Sequence, residues 1–190
     1  MVASVTLKAR PDTTIAGGSL NFTDSTANYW TAVEMYHEYL PTIVDTGVFT
    51  VESVADGSFV DFLHGPNKTV SEVDLLLRPY LDNLTSLGIT YSYNMTLFPN
   101  YEAEYTGTRD VFHFSVGLGQ AGGYLIPRSF VQANNSALTS IVRQIAEGGL
   151  QFKGFAVNVA NKSGAIDNAV LPAWRETLVH SQITLSVKIW

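Results

Sequence analysis

Four histidines, His37, His64, His113 and His180, are the side chains of this sequence best suited to moving a proton near neutral pH. They are scattered. No two have the spacing of zinc ligands, and no G-x-S-x-G elbow offers a serine for one of them to activate. His113 lies between Phe112 and Phe114 in a strand-like run, so alternation places it on the opposite face from both rings. Tyr91 and Tyr93 share one face of another alternating run. Phenols there either pack under helices or line a pocket, where they hydrogen-bond a substrate hydroxyl or act as a base. Gly117-Leu-Gly119-Gln-Ala-Gly122 matches G-x-G-x-x-G after an expected strand. Tyr124-Leu-Ile-Pro127 follows it, however, so no helix N-terminus is at hand for a pyrophosphate, and the glycines read instead as a loop with positive φ.

The elements that must position these residues can be placed from periodicity. Strands are expected over 3–10, ended by Pro11-Asp12, and over 17–23. Ser25 or Thr26 caps a helix over 27–40, where Tyr29, Trp30, Val33, Tyr36 and Leu40 keep helical spacing and Pro41 marks the end. Asp56-Gly57 joins runs 47–54 and 58–63 as a hairpin. Thr69-Val-Ser-Glu72 forms a capping box for a helix reaching Leu87 and Gly88, with Pro79 expected to kink or interrupt it. Residues 89–98 and 110–118 alternate as strands. A helix starts at Asn134 or Asn135 and ends at Gly148-Gly149. A strand covers 150–159, His180 belongs with the Trp174 turn, and a last strand covers 182–190. The βαβ rhythm of a parallel sheet is missing. One α+β domain over 1–190 is expected, an antiparallel sheet with helices packed on one face and the other free for a partner.

The chain has 190 residues, 46% hydrophobic and 15% charged, enough for one good core. A net charge of −6 disfavours nucleic acid and anionic membrane surfaces as partners. No apolar run is long enough to span a bilayer, and no signal peptide opens the sequence. With no cysteine there is neither a disulfide nor a thiol to link a flavin. Sequons begin at Asn21, Asn67, Asn83, Asn94, Asn134 and Asn161, where chance would give roughly two. They point to a glycosylated, secreted parent protein, and the missing signal peptide then fits a piece cut from the interior of a longer precursor.

Ala169-Val-Leu-Pro-Ala-Trp-Arg-Glu-Thr-Leu-Val-His180 resembles the N-P-A-W-R stretch of secreted fungal flavin-linked oxidases, the berberine-bridge-enzyme-like branch of the vanillyl-alcohol-oxidase superfamily. Leu171 stands where that family often has Asn. Val2-Ala-Ser-Val-Thr-Leu-Lys-Ala-Arg-Pro-Asp12 resembles the strand leaving the family's flavin domain, and Gly123-Tyr-Leu-Ile-Pro-Arg128 resembles its S-R-L-I-P-R motif, with Gly-Tyr replacing Ser-Arg. The resemblance covers nearly the whole chain and identifies it with the substrate domain.

The resemblance implies that FAD is held by a separate domain while this one covers the ring and shapes the pocket. Substrate loses a hydride to flavin, which oxygen then reoxidises, so the cofactor carries the chemistry. The chain by itself is expected to bind no flavin. Its implied partners are the remaining FAD-binding domain or a companion chain and a small-molecule substrate, with a homodimer possible through an exposed sheet face. Trp174 and Arg175 are expected to be structural, and Arg128 to pair near the following helix. Tyr91, Tyr93, His113, Phe155 and Asn158 are the candidate substrate contacts, the last two because their strand is implied to approach the flavin. The alternatives are a flavin-free cyclase or isomerase of a natural product, and a non-catalytic binding module.

Overall fold

A computed structural model describes residues 11–108, 119–159 and 170–186. The expected strands at 3–10 and 110–118, with His113, and the Asn161 sequon lie outside the described residues. So does Gly117.

The elements follow the order β1 (Ile15–Thr23), α1 (Ala27–Asp45), β2 (Phe49–Ala55), β3 (Ser58–Pro66), α2 (Val70–Ser86), β4 (Tyr91–Phe98), α3 (Tyr101–Thr108), β5 (Gly119–Pro127), α4 (Arg128–Ala133), α5 (Asn135–Glu147), β6 (Gln151–Ala156) and β7 (Thr177–Ser186). A 3-10 turn over Pro172–Glu176 leads into β7. The strands form one sheet in the order β4-β1-β3-β2-β6-β7-β5. Every neighbouring pair is antiparallel. The α+β fold expected from the sequence is the one that forms.

Local signals account for the element starts. Thr26 caps α1 by accepting the Asn28 N–H, and Thr69 and Glu72 complete the capping box of α2. Pro41 does not end α1, which runs on to Asp45, and Pro79 does not interrupt α2. Proline removes one backbone donor in a helix. Here Ile43 and Val44 beyond Pro41, and Tyr80 and Leu84 beyond Pro79, are buried, so packing holds the turns that follow.

The glycine-rich segment is also corrected. Gly119–Pro127 is a strand and neither Gly122 nor Gly123 has positive φ, so the segment is extended and pairs with β7. The final strand starts at Thr177, five residues early, because Thr177 to Val179 are buried against the core. His180 is therefore a strand residue.

Cross-strand register sorts the two faces. Leu20, Phe59, Val54 and Phe152 point to the helix side, in one core with Tyr36 and Leu40 of α1, Leu77 and Tyr80 of α2, Val131 of α4 and Val142 of α5. Phe22 stacks on Phe59 at 4.7 Å, and Tyr36 meets Phe59 and Tyr80 edge-on. The helix side also buries polar groups. His37 Nε2 lies 3.1 Å from Glu52, both fully buried. Tyr36 donates to Asp61 at 2.5 Å, and burial raises the Asp61 carboxyl well above the usual carboxylate range. Gly154 makes room for this arrangement, since a Cβ there would come within 2.3 Å of Glu52 Oε1.

Among the described residues, the other face is crossed by α3 at one rim, over β1 and β4, and met at the β7 end by the 3-10 turn through Trp174. Over the remainder, β3, β2, β6 and β7 present Phe62, Val51, Phe155 and His180 in one cross-strand row, with His64 and Phe49 in the next.

Candidate functional site on the open sheet face

His64 belongs to the second of these rows, on β3 beside β1. Its ring stacks on Phe49 at 4.5 Å with 14° between the planes. Its Nδ1 lies 2.6 Å from Glu104 Oε1 of α3. The residue is 8% exposed and Glu104 1%. β1 contributes by subtraction. Gly17 pairs with His64 across the ladder, and a Cβ on it would meet Glu104 Cγ at 3.0 Å. The bare backbone of Gly17 lets the glutamate reach the imidazole.

α3 itself is set by local signals. Asn100 accepts the Ala103 N–H through its side chain, and Glu102 and Glu104 lie in the first turn, where the helix dipole favours acids. Burial lowers the His64 pKa from its ordinary value, opposed by the charge and hydrogen bond of Glu104. Burial thus favours the neutral ring. With Nδ1–H donated to Glu104, Nε2 keeps its lone pair.

A second imidazole occupies the β7 end of the face. His180 lies 5.8 Å from the Phe155 ring and 5.2 Å from Trp174. It borders a cleft of about 560 Å³ with Gly123, Tyr124, Leu125, Leu171, Ala173 and Trp174, none of them charged. Lys153 shares the open face and pairs in register with Gln182; burial lowers its pKa. A larger hollow of about 740 Å³ between α1 and the α4–α5 corner is on the helix side and holds Glu34 and Glu38.

The expected site residues divide. Phe155 is on the open face. Tyr91 and Tyr93 are on the helix side, half-buried under α2, and Tyr93 donates to Asp74 Oδ1 of that helix at 2.8 Å. Burial and this acid raise the Tyr93 pKa. Asn158, just beyond β6, donates to Asp45 Oδ1 at 2.8 Å. Asp45 also takes a two-pronged ion pair from Arg128, so Arg128 fastens the start of α4 to the end of α1. Sequence reasoning singled out neither His64 nor Glu104 as a site. The Asn100 cap followed by two acids was a usable signal for α3, but nothing local announces that α3 meets β3.

The sequons divide too. Asn21 and Asn94 are on the open face at its β1–β4 flank, both hydrogen-bonded to Ser19. Asn67, Asn83 and Asn134 are exposed at a turn, on α2 and before α5. No helix among the described residues is long and apolar enough to cross a membrane.

No family model matches the sequence. Individual proteins do. The chain is 32% identical over 192 residues to FAD-linked oxidoreductase ZEB1 of Gibberella zeae, covering 97% of this chain and 33% of that protein. It is 33% identical over 194 residues to the bifunctional decalin synthase calF of Penicillium decumbens, covering 94% and 33%. Among solved structures, the VAO-type flavoprotein MtVAO615 of Myceliophthora thermophila superposes with a TM-score of 0.76 at 28% identity, over 94% of this chain and 34% of that one. The chain thus spans about one third of the length of the relatives it matches. By sequence and by fold, then, the chain is similar to about one third of the length of VAO-type and FAD-linked oxidoreductases.

Proposed function

We propose that this chain is the substrate-covering part of an FAD-dependent oxidase, which passes a hydride from an alcohol, sugar or natural product to flavin and then to oxygen. The observation that carries the reading is the open sheet face. It bears Phe49, Phe62, Phe155, His64 and His180 on the side turned away from four helices, in a chain homologous to flavoproteins. Rings and imidazoles suit the cover of a flat cofactor and its substrate. When bound, the flavin supplies the two-electron acceptor. This chain supplies walls, orientation and proton handling.

The Gly119–Gly122 segment does not open a helix, so it offers no pyrophosphate cradle of the dinucleotide-binding kind. FAD is proposed to be held by another part of the flavoprotein or by a companion chain. If neither covers the open face, a second copy of this chain does. Phe155 is proposed to touch substrate. His113, Tyr91, Tyr93 and Asn158 remain weaker candidates, the last three because of the α2 and Asp45 contacts described above. Asn21, Asn67, Asn83, Asn94, Asn134 and Asn161 are proposed glycan sites of a secreted protein.

The test is the visible spectrum of the protein purified from its native source. A flavin band is expected, and it should bleach when an oxidisable alcohol is added without oxygen. A colourless protein overturns the reading. The similarity to a decalin synthase favours one second reading, ring closure of a natural product on the same face. Conversion of a polyene precursor by colourless protein would support it.

A further inference from the structure

The His64–Glu104 pair ties α3 to β3, but that task uses only one of the two imidazole nitrogens. A histidine kept only for packing would have its second nitrogen sealed or bonded. Among the described residues, His64 Nε2 has no hydrogen-bond partner and is not one of the buried side-chain atoms left without one, which leaves it open to solvent. The side chain retains 10% of its surface there, while Glu104 behind it retains 2%. The carboxylate is enclosed, one ring nitrogen is tied to it, and the other is presented outward. That is the arrangement in which a carboxylate fixes the imidazole tautomer and stabilises the imidazolium formed when a proton arrives.

Resting on the oxidase reading above, we infer that His64, oriented by Glu104, is the base that takes the hydroxyl proton of an alcohol carried on an aromatic or unsaturated skeleton. The O–H proton goes to His64 Nε2. The hydrogen on the carbinol carbon leaves with its electron pair as hydride to an oxidised flavin, and the C–O bond becomes a carbonyl. The alcohol is oxidised by two electrons and the flavin reduced by two, and the imidazolium is balanced by Glu104. Phe49 flat against the His64 ring, and Phe98 beside Gly17 at the Glu104 end, argue for an unsaturated skeleton over a sugar.

Glu104 and Gly17 are positioning residues. Among the described residues, the charged group in contact with His64 is Glu104. β1 contributes Gly17, β2 contributes Phe49, and Thr108 of α3 reaches Glu104 Oε1 at 3.5 Å; none of these three titrates.

The first measurement needs no flavin. Nitrogen NMR of the labelled 190-residue chain, with His64 assigned by His64→Gln, should show the Nδ1–H tautomer and titration below the ordinary histidine value of about 6.5. Glu104→Gln should move that titration further to acid, because the charge that raises it is gone. An Nε2–H tautomer, or a titration above that value, overturns the inference. The second measurement uses the full flavoprotein with cinnamyl alcohol under anaerobic conditions. His64→Ala should slow flavin reduction about 100-fold, and added imidazole should restore part of the rate. In Glu104→Gln the acid limb of the rate profile should shift to lower pH. An unchanged rate in a folded His64→Ala protein overturns the base assignment. Reduction of wild type by cellobiose and not by cinnamyl alcohol, or by neither, overturns the substrate class. Absence of flavin from the full-length protein instead overturns the oxidase reading, leaving the tautomer result to stand by itself.

Discussion

The sheet carries the same two functional groups on both of its faces. His37 and Glu52 meet under α1, and His64 and Glu104 meet beneath α3. The first pair is 0% exposed on both sides and sits among Tyr36, Asp61 and Phe152. The second keeps one ring nitrogen at the surface and is backed by a short helix at the sheet's rim. Chemistry alone does not separate them. What separates them is whether water or a ligand can reach a nitrogen. An enclosed pair can only hold the core together, at a desolvation cost that its mutual attraction roughly offsets. A pair with one open nitrogen can exchange a proton.

The largest expected effect breaks the enclosed pair. Glu52→Ala should destabilise the fold by about 3–5 kcal/mol in urea unfolding, because an unpaired imidazole is left where no water reaches. His64→Ala should cost on the order of 1–2 kcal/mol, since α3 at the rim can carry Glu104 back to solvent. Equal losses in the two variants would erase the distinction.

The two supporting glycines sharpen it. Gly154→Ala drives a methyl into Glu52 and should destabilise by about 1–3 kcal/mol. Gly17→Ala should cost little in unfolding, yet lower the His64 titration by moving Glu104 away from it.

The two faces should also respond to pH with opposite sign. His64 binds its proton less readily folded than unfolded. Below about pH 6.5 the unfolded chain therefore takes up more protons at this site, and stability falls as pH falls. Asp61 binds its proton more readily when folded. Its contribution is present in acid and is lost as pH rises above the unfolded carboxyl value of about 3.9. Denaturation midpoints across pH for His64→Gln and Asp61→Asn should each lose one of these slopes. The smallest expected effect is at Tyr93→Phe, about 1 kcal/mol for the bond to Asp74, with no change in either slope.

Much of the frame was legible in the residues. Thr26, the Thr69–Glu72 box, Asp56-Gly57 and Gly88 act within a few residues of themselves, so their signals survive translation into structure unchanged. The alternation of β4 likewise named the Tyr91–Tyr93 face correctly as one face, though not which one. The errors fell where distant packing overrode local preference. Pro41 and Pro79 lost to buried residues beyond them, and Gly122 and Gly123 were drawn into an edge strand by pairing with β7. The start of β7 was moved in the same way.

The sequence by itself determined most element types, the α+β class and the similarity to FAD-linked oxidoreductases, because these rest on local periodicity and on motifs read in order. It did not determine the site. His64 and Glu104 are forty residues apart. Their meeting depends on β1 lying between β4 and β3, on a glycine at 17, and on α3 folding onto the face that the other helices leave clear. Strand order and face are settled by burial summed over the whole sheet. No short window of sequence contains that sum, so only the tertiary structure could select one of two identical pairs of side chains for chemistry.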